Sequence, residues 1–147
     1  MKRRISVLFF IGIFLAGSTA LGYYYYWVYS PPLLAAERFM TAMESRSAEA
    51  LGPEIVVSTD ADSGKFREAT DREIRAMLSA RFERGRILDQ RKRAGNTRDY
   101  YYLVYREPDG AIYALVVTEL EGRFRVVIPV RPMSKRQPYL WDYAWTN

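Results

Sequence analysis

The stretch RDYYYLVYREPDGAIYALVVTELEGRFRVVIPV (Arg98–Val130) decides the fold. Aromatic and β-branched residues crowd three runs, and turn chemistry separates them. Glu107-Pro108-Asp109-Gly110 places proline and glycine where a type I turn takes them, and Glu121-Gly122 is a tight hairpin joint. Strands are therefore expected at Arg98–Arg106, Ala111–Leu120 and Arg123–Val130. Arg86–Arg93 reads as a first, more polar strand turned by Gly95-Asn96, giving an antiparallel meander of about four strands. On the last strand Phe124, Val126, Ile128 and Val130 share one face. The two middle strands are apolar on both. Tyr101, Leu103 and Tyr105 oppose Tyr100, Tyr102 and Val104, and Ile112, Ala114 and Val116 oppose Tyr113, Leu115 and Val117. Helices can cover one face only, so the other calls for sheet curvature, the C-terminal tail or a partner.

Ahead of the strands the period is helical. Ser30-Pro31-Pro32 is a helix start, and Leu33, Ala36, Phe39, Met40 and Met43 mark an amphipathic helix over Leu33–Arg46. Ser47–Leu51 adds a turn before Gly52-Pro53, and Ser58–Gly64 (STDADSG) reads as a polar loop. Asp60, Asp62, Ser63 and Gly64 in that loop lack the later glutamate of a calcium site. Thr70-Asp71-Arg72-Glu73 is a capping box. The helix it opens carries Ile74, Met77, Leu78, Arg81 and Phe82 on one face, with Gly85 expected just past its end. Helices first and a meander after is an α+β order.

At the front, MKRR precedes Ile5–Leu21, which holds no charge, and LGYYYYWVYS (Leu21–Ser30) follows. The uncharged span to Tyr29 is about 25 residues, roughly 37 Å as a helix, enough to cross a bilayer. Tyr23, Tyr24, Tyr25, Tyr26, Trp27 and Tyr29 then read as membrane-interface residues, since amphipathic rings gather at headgroup level. Lys2, Arg3 and Arg4 would stay cytoplasmic, placing the later domain on the periplasmic, extracytoplasmic side of an inner membrane. A cleaved signal peptide also fits, with Ser18-Thr19-Ala20 as the cleavage motif, but it would leave LGYYYYWVYS as an exposed terminus. The expected organisation is a cytoplasmic end (1–4), a transmembrane signal-anchor (5–29), an extracytoplasmic α+β domain (30–132) and an aromatic tail (133–147).

Composition excludes much chemistry. The 147 residues include no cysteine and no histidine, so thiolate metal sites, the usual haem axial ligand and the usual general base are missing. No metal, cofactor or catalytic residue is expected. Of the net charge of +5, Lys2, Arg3 and Arg4 supply three, leaving two for the rest, which argues against a nucleic-acid partner. Arg81–Arg98, with Arg91-Lys92-Arg93 inside it, could meet anionic lipid or an acidic partner. The interleaved Glu83 and Asp89 favour a solvated strand edge guarded by charge.

The order of LLAAERFMTAMESRSAEAL, further helices and a meander resembles the nuclear transport factor two-like superfamily, the cystatin-like α+β roll. The resemblance covers about Pro32–Pro132 and implies a strongly curved antiparallel sheet forming a cone. An anchored version is also similar to the inner-membrane assembly factor of type IV secretion systems. Enzymes of the fold, isomerases and dehydratases, place an Asp with a Tyr or His inside the cone. Asp99 beside the strand tyrosines is the one such pairing here, and a turn-flanking solvated acid is the plainer reading of it. In the tail, Tyr139, Trp141, Tyr143 and Trp145 are residue types that anchor interfaces, so they are candidates for partner binding or for closing the open sheet face. The function expected is a non-catalytic accessory or assembly subunit of a bacterial membrane complex, whose partners are the lipid bilayer and other subunits. The alternatives are a module binding a small apolar ligand in the cone, and an isomerase- or dehydratase-type enzyme.

Overall fold

The strands expected between Arg98 and Val130 form the middle of a wider sheet. The computed structural model describes residues 2–60, 64–130 and 137–142. The chain divides into two compact units, Met1–Pro31 and Pro32–Asn147.

The first unit holds α1 (Lys2–Tyr24) and a π-helical turn, Tyr25–Tyr29. Ser30 does not act as a cap. Its angles are helical (φ −68°, ψ −41°), and its N–H donates to the Tyr25 carbonyl five residues back. The wider turn suits Pro31, which has no N–H to give and whose ring crowds the carbonyl four residues earlier. The membrane-spanning helix expected over 5–29 is corrected here: among the described residues, no helix is long and apolar enough to cross a membrane. Gly12, Gly17, Ser18, Thr19 and Gly22 interrupt the apolar run, and from Tyr23 onward tyrosines replace aliphatic side chains.

In the second unit, which takes α2 (Ser30–Ser45) from Pro32 onward, the helix buries Ala35, Ala36, Phe39, Met40, Ala42 and Met43, the face its spacing marks out. Arg46, at φ 52°, ends it. Ser47 caps α3 (Ala48–Leu51) by accepting from the Ala50 N–H at 3.1 Å, and a 3-10 turn at Gly52–Glu54 comes next. α4 (Asp71–Ser79) opens on the expected capping box but stops at Ala80, whose backbone is extended. Phe82 and Gly85 therefore lie beyond it. Gly85 has a packing task instead, since a Cβ there would sit 2.3 Å from the Arg106 carbonyl oxygen and 2.6 Å from the Tyr105 ring.

The sheet contains β1 (Ile55–Asp60), β2 (Lys65–Glu68), β3 (Arg86–Ala94), β4 (Asp99–Arg106), β5 (Ile112–Leu120) and β6 (Arg123–Ile128), in the order β2-β1-β6-β5-β4-β3. The expected sheet of about four antiparallel strands is thus wrong on two counts. Six strands form the path, and it is mixed, because β1 runs parallel to β6 with Ile55, Val56 and Val57 against Val126, Val127 and Ile128. Ile55-Val56-Val57 is a short apolar run leading into turn-like STDADSG, and only its pairing with β6 and β2 reveals it, with Ser58–Asp60, as a strand. A two-residue β7 (Trp141–Asp142) pairs with β5 beside Tyr113 and Ala114.

One sheet face packs on α2 and α4 through Ile55, Val57, Tyr101, Leu103, Leu115, Val117 and Val126. The opposite face carries a smaller cluster, Val56, Val116 and Val127, flanked by Phe66, Tyr100, Tyr102, Leu120 and Trp141. The middle strands are thus covered on both faces, fully through Leu103, Tyr105, Ala114, Leu115, Val116 and Val117, while Tyr100 and Tyr102 are half-buried and Ile112 is exposed.

Candidate functional site

The aromatic residues of the first unit stand on α1 and the π turn. Tyr23, Tyr24, Tyr25 and Tyr26 are exposed, and Tyr29 is half-buried. Tyr25 contacts Tyr26 edge-on at 5.6 Å and stacks on Tyr29 at 5.9 Å between ring centroids. Tyr25 and Tyr29 meet because residues four apart share one helix face. The Trp27 side chain lies outside the described residues.

The described part of the tail enters the domain. Tyr139 is 1% exposed, with its ring 5.0 Å from Phe39 and 6.2 Å from Phe82, and Leu140 is fully buried. Trp141 lies against the second sheet face and donates its indole N–H to the Val127 carbonyl at 2.8 Å. Of the four tail aromatics, then, two are placed against the domain's own sheet and helix, while Tyr143 and Trp145 lie outside the described residues, as do Asp62 and Ser63 of the loop.

Beside Tyr139 a polar group gathers from three segments. The Tyr105 hydroxyl accepts from the Gly85 N–H at 2.6 Å and donates to the Glu83 carbonyl at 3.3 Å. Gln137 donates to the Arg81 carbonyl at 3.3 Å. Burial pushes the Tyr105 phenol up, partly offset by the Gly85 bond. Burial also pushes Tyr139 up, reinforced by the neighbouring Tyr105 and the Glu107 carboxylate. Both phenols stay protonated near neutrality, and Tyr105 serves there as a hydrogen-bonding group. Glu107 and Gln137, both buried, line a cleft of about 390 Å³ with Arg81, Glu83, Pro108 and Asp109.

A second polar centre is Glu54, whose side chain is 8% exposed. It accepts from Arg38 Nε at 3.0 Å and Arg123 Nη2 at 2.5 Å, joining α2, the 3-10 turn and the β5–β6 hairpin at the base of a groove of about 660 Å³. Sequence reading missed it, because nothing local distinguishes Glu54 from an exposed turn acid. Asp99 accepts from Lys92 Nζ at 2.6 Å and is half exposed, in the solvated position its place at a strand start suggested. Tyr101 is buried in the packed core and Tyr105 in the polar group beside it. The basic run maps onto β3, at the edge of the sheet, with every cation from Arg91 to Arg93 exposed.

Compared with family models, with curated proteins and with solved structures, the chain gives no match.

Proposed function

We propose that the protein is a non-catalytic accessory or assembly subunit of a membrane-associated complex, with α1 as its attachment and the α+β domain as the part presented to other subunits. One observation carries this reading. Phe9, Phe10, Ile11, Ile13, Phe14, Leu15 and Leu21 are all exposed, Phe14 by 74%, and they spread around most of the helix circumference. An amphipathic helix hides one stripe, whereas a helix apolar around its girth needs an apolar medium or a deep partner groove. The tyrosines after it, apolar in body and polar at the tip, suit the boundary between such a medium and water. The absence of cysteine and histidine from the whole chain supports a role in binding rather than catalysis.

The test is fractionation of cells making the full chain. The protein is expected to stay with the membranes through an alkaline carbonate wash and to co-purify in mild detergent with larger proteins. A Phe10→Glu/Phe14→Glu variant is expected to move to the supernatant. Recovery of the unaltered chain as a free monomer without detergent would overturn the reading.

A further inference from the structure

β3 is the outermost strand of the sheet. It pairs with β4 and, among the described residues, with nothing on its other side. Its outward row of N–H and C=O groups is a template for another strand. The register shifts between Ile87 and Asp89, which makes Leu88 the extra residue of a bulge, its side chain 46% exposed. From Asp89 to Ala94 the pairing is regular, the length of an ordinary strand.

Charge selects what fits there. The strand carries Arg86, Arg91, Lys92 and Arg93 against Asp89. Arg91 and Arg93 stand opposite Tyr102 and Tyr100, while Lys92 stands opposite Tyr101, so cations flank the edge on both faces. A second copy of β3 would set cation against cation, which destabilises directly opposed pairs. An acidic strand would instead find complementary charge on each side. We propose that β3 receives an extended acidic segment of a partner protein as an added strand, with carboxylates of that segment facing Arg91, Lys92 and Arg93. The intrachain acids there, Asp89 at 3.6 Å from Arg91 and Asp99 at 2.6 Å from Lys92, form exposed ion pairs that an incoming carboxylate joins or displaces. This docking surface belongs to the domain and does not depend on attachment through α1.

The probe is a short synthetic peptide of alternating valine and glutamate, with a valine–lysine peptide as control, added to the full chain in mild detergent. Amide hydrogen exchange is expected to slow several-fold along residues 89–94 with the acidic peptide alone, leaving β2 unchanged. Binding is expected to weaken about tenfold between low and high salt. An Arg91→Glu/Arg93→Glu variant is expected to reverse the preference toward the lysine peptide. Where circular dichroism shows that variant unfolded, Arg93→Gln is expected to weaken acidic-peptide binding several-fold with the fold intact. Equal binding of both peptides, no protection of β3 at saturating acidic peptide, or protection by anionic phospholipid vesicles but not by the peptide would each overturn the proposal.

Discussion

Tyr139 places its ring between Phe39 and Phe82, while its buried hydroxyl stands beside that of Tyr105. Ring and hydroxyl therefore contribute differently. Tyr139→Phe is expected to change stability by less than about 1 kcal/mol, because at most one weak bond between neutral hydroxyls is lost with the oxygen. Tyr139→Ala is expected to cost about 4 kcal/mol, the scale of an aromatic deleted from a core. Urea unfolding of the two variants checks the contrast. Glu54 behaves in the opposite way, since its polar end is what matters. Glu54→Gln keeps the shape but leaves two half-exposed guanidinium groups without their carboxylate, and a loss of about 2 kcal/mol is expected, reduced from the fully buried case by the exposure of the arginines. Neither role was legible from neighbouring residues. Tyr139 stands in a tail whose sequence has no strand or helix period to place it, and Glu54 finds Arg38 and Arg123 only through the tertiary fold.

Among the elements, α4 shows what local chemistry can announce. Thr70 accepts from the Glu73 N–H at 3.3 Å, and Glu73 accepts from the Thr70 N–H at 2.9 Å, the reciprocal pair that the sequence displays. Arg67 on β2 adds two bonds to the same carboxylate, at 2.8 and 2.6 Å. Chiefly through Arg67, and then through Thr70, the Glu73 carboxyl is lowered from 4.5 to about 2. A depressed carboxyl stabilises the fold above its unfolded value, so its contribution is complete above about pH 5 and drains away as pH falls toward 2. Because the side chain is more than a third exposed, solvent screening limits the effect to about 1 kcal/mol. Thermal melts from pH 7 to 2 are expected to show a shallower acid loss for Glu73→Gln than for the unaltered protein. Thr70→Ala is expected to cost about 1 kcal/mol at neutral pH. The start of α4 was readable because the cap lies within four residues. Its end was not, because Gly85 is fixed by the approach of Tyr105 and Arg106 rather than by the helix. The same distinction separates the β5–β6 hairpin from β1. Glu121 and Gly122 take the positive φ values their turn needs, 52° and 76°, while β1 depends on a partner strand about seventy residues away.

At the scale of the molecule, the two units make separate predictions. Deleting residues 1–29 is expected to leave the α+β domain folded and able to remain in solution without detergent, since its core is drawn from residues beyond Pro32. Gel filtration and far-ultraviolet circular dichroism check this. Truncation after Pro132 is expected to do the reverse. Loss of Tyr139, Leu140 and Trp141 removes two core side chains and the indole on the second sheet face, together a loss of more than about 5 kcal/mol and comparable to the whole stability of a domain this size. Cooperative unfolding should then vanish at room temperature.

The burial of Tyr139 and Leu140 also bears on when the chain can fold. They lie about a hundred residues after α2, yet Tyr139 packs its ring against Phe39 of that helix and Leu140 joins the same core. Synthesis runs from the amino end, so α2 and the early strands emerge long before the segment that completes their core. The central sheet can be paired by then, but its buried aromatic layer stays open until Tyr139 and Leu140 arrive. The core of this domain therefore closes only once residues 139 and 140 have been made, and the half-made chain exposes apolar helix faces to whatever holds nascent proteins apart.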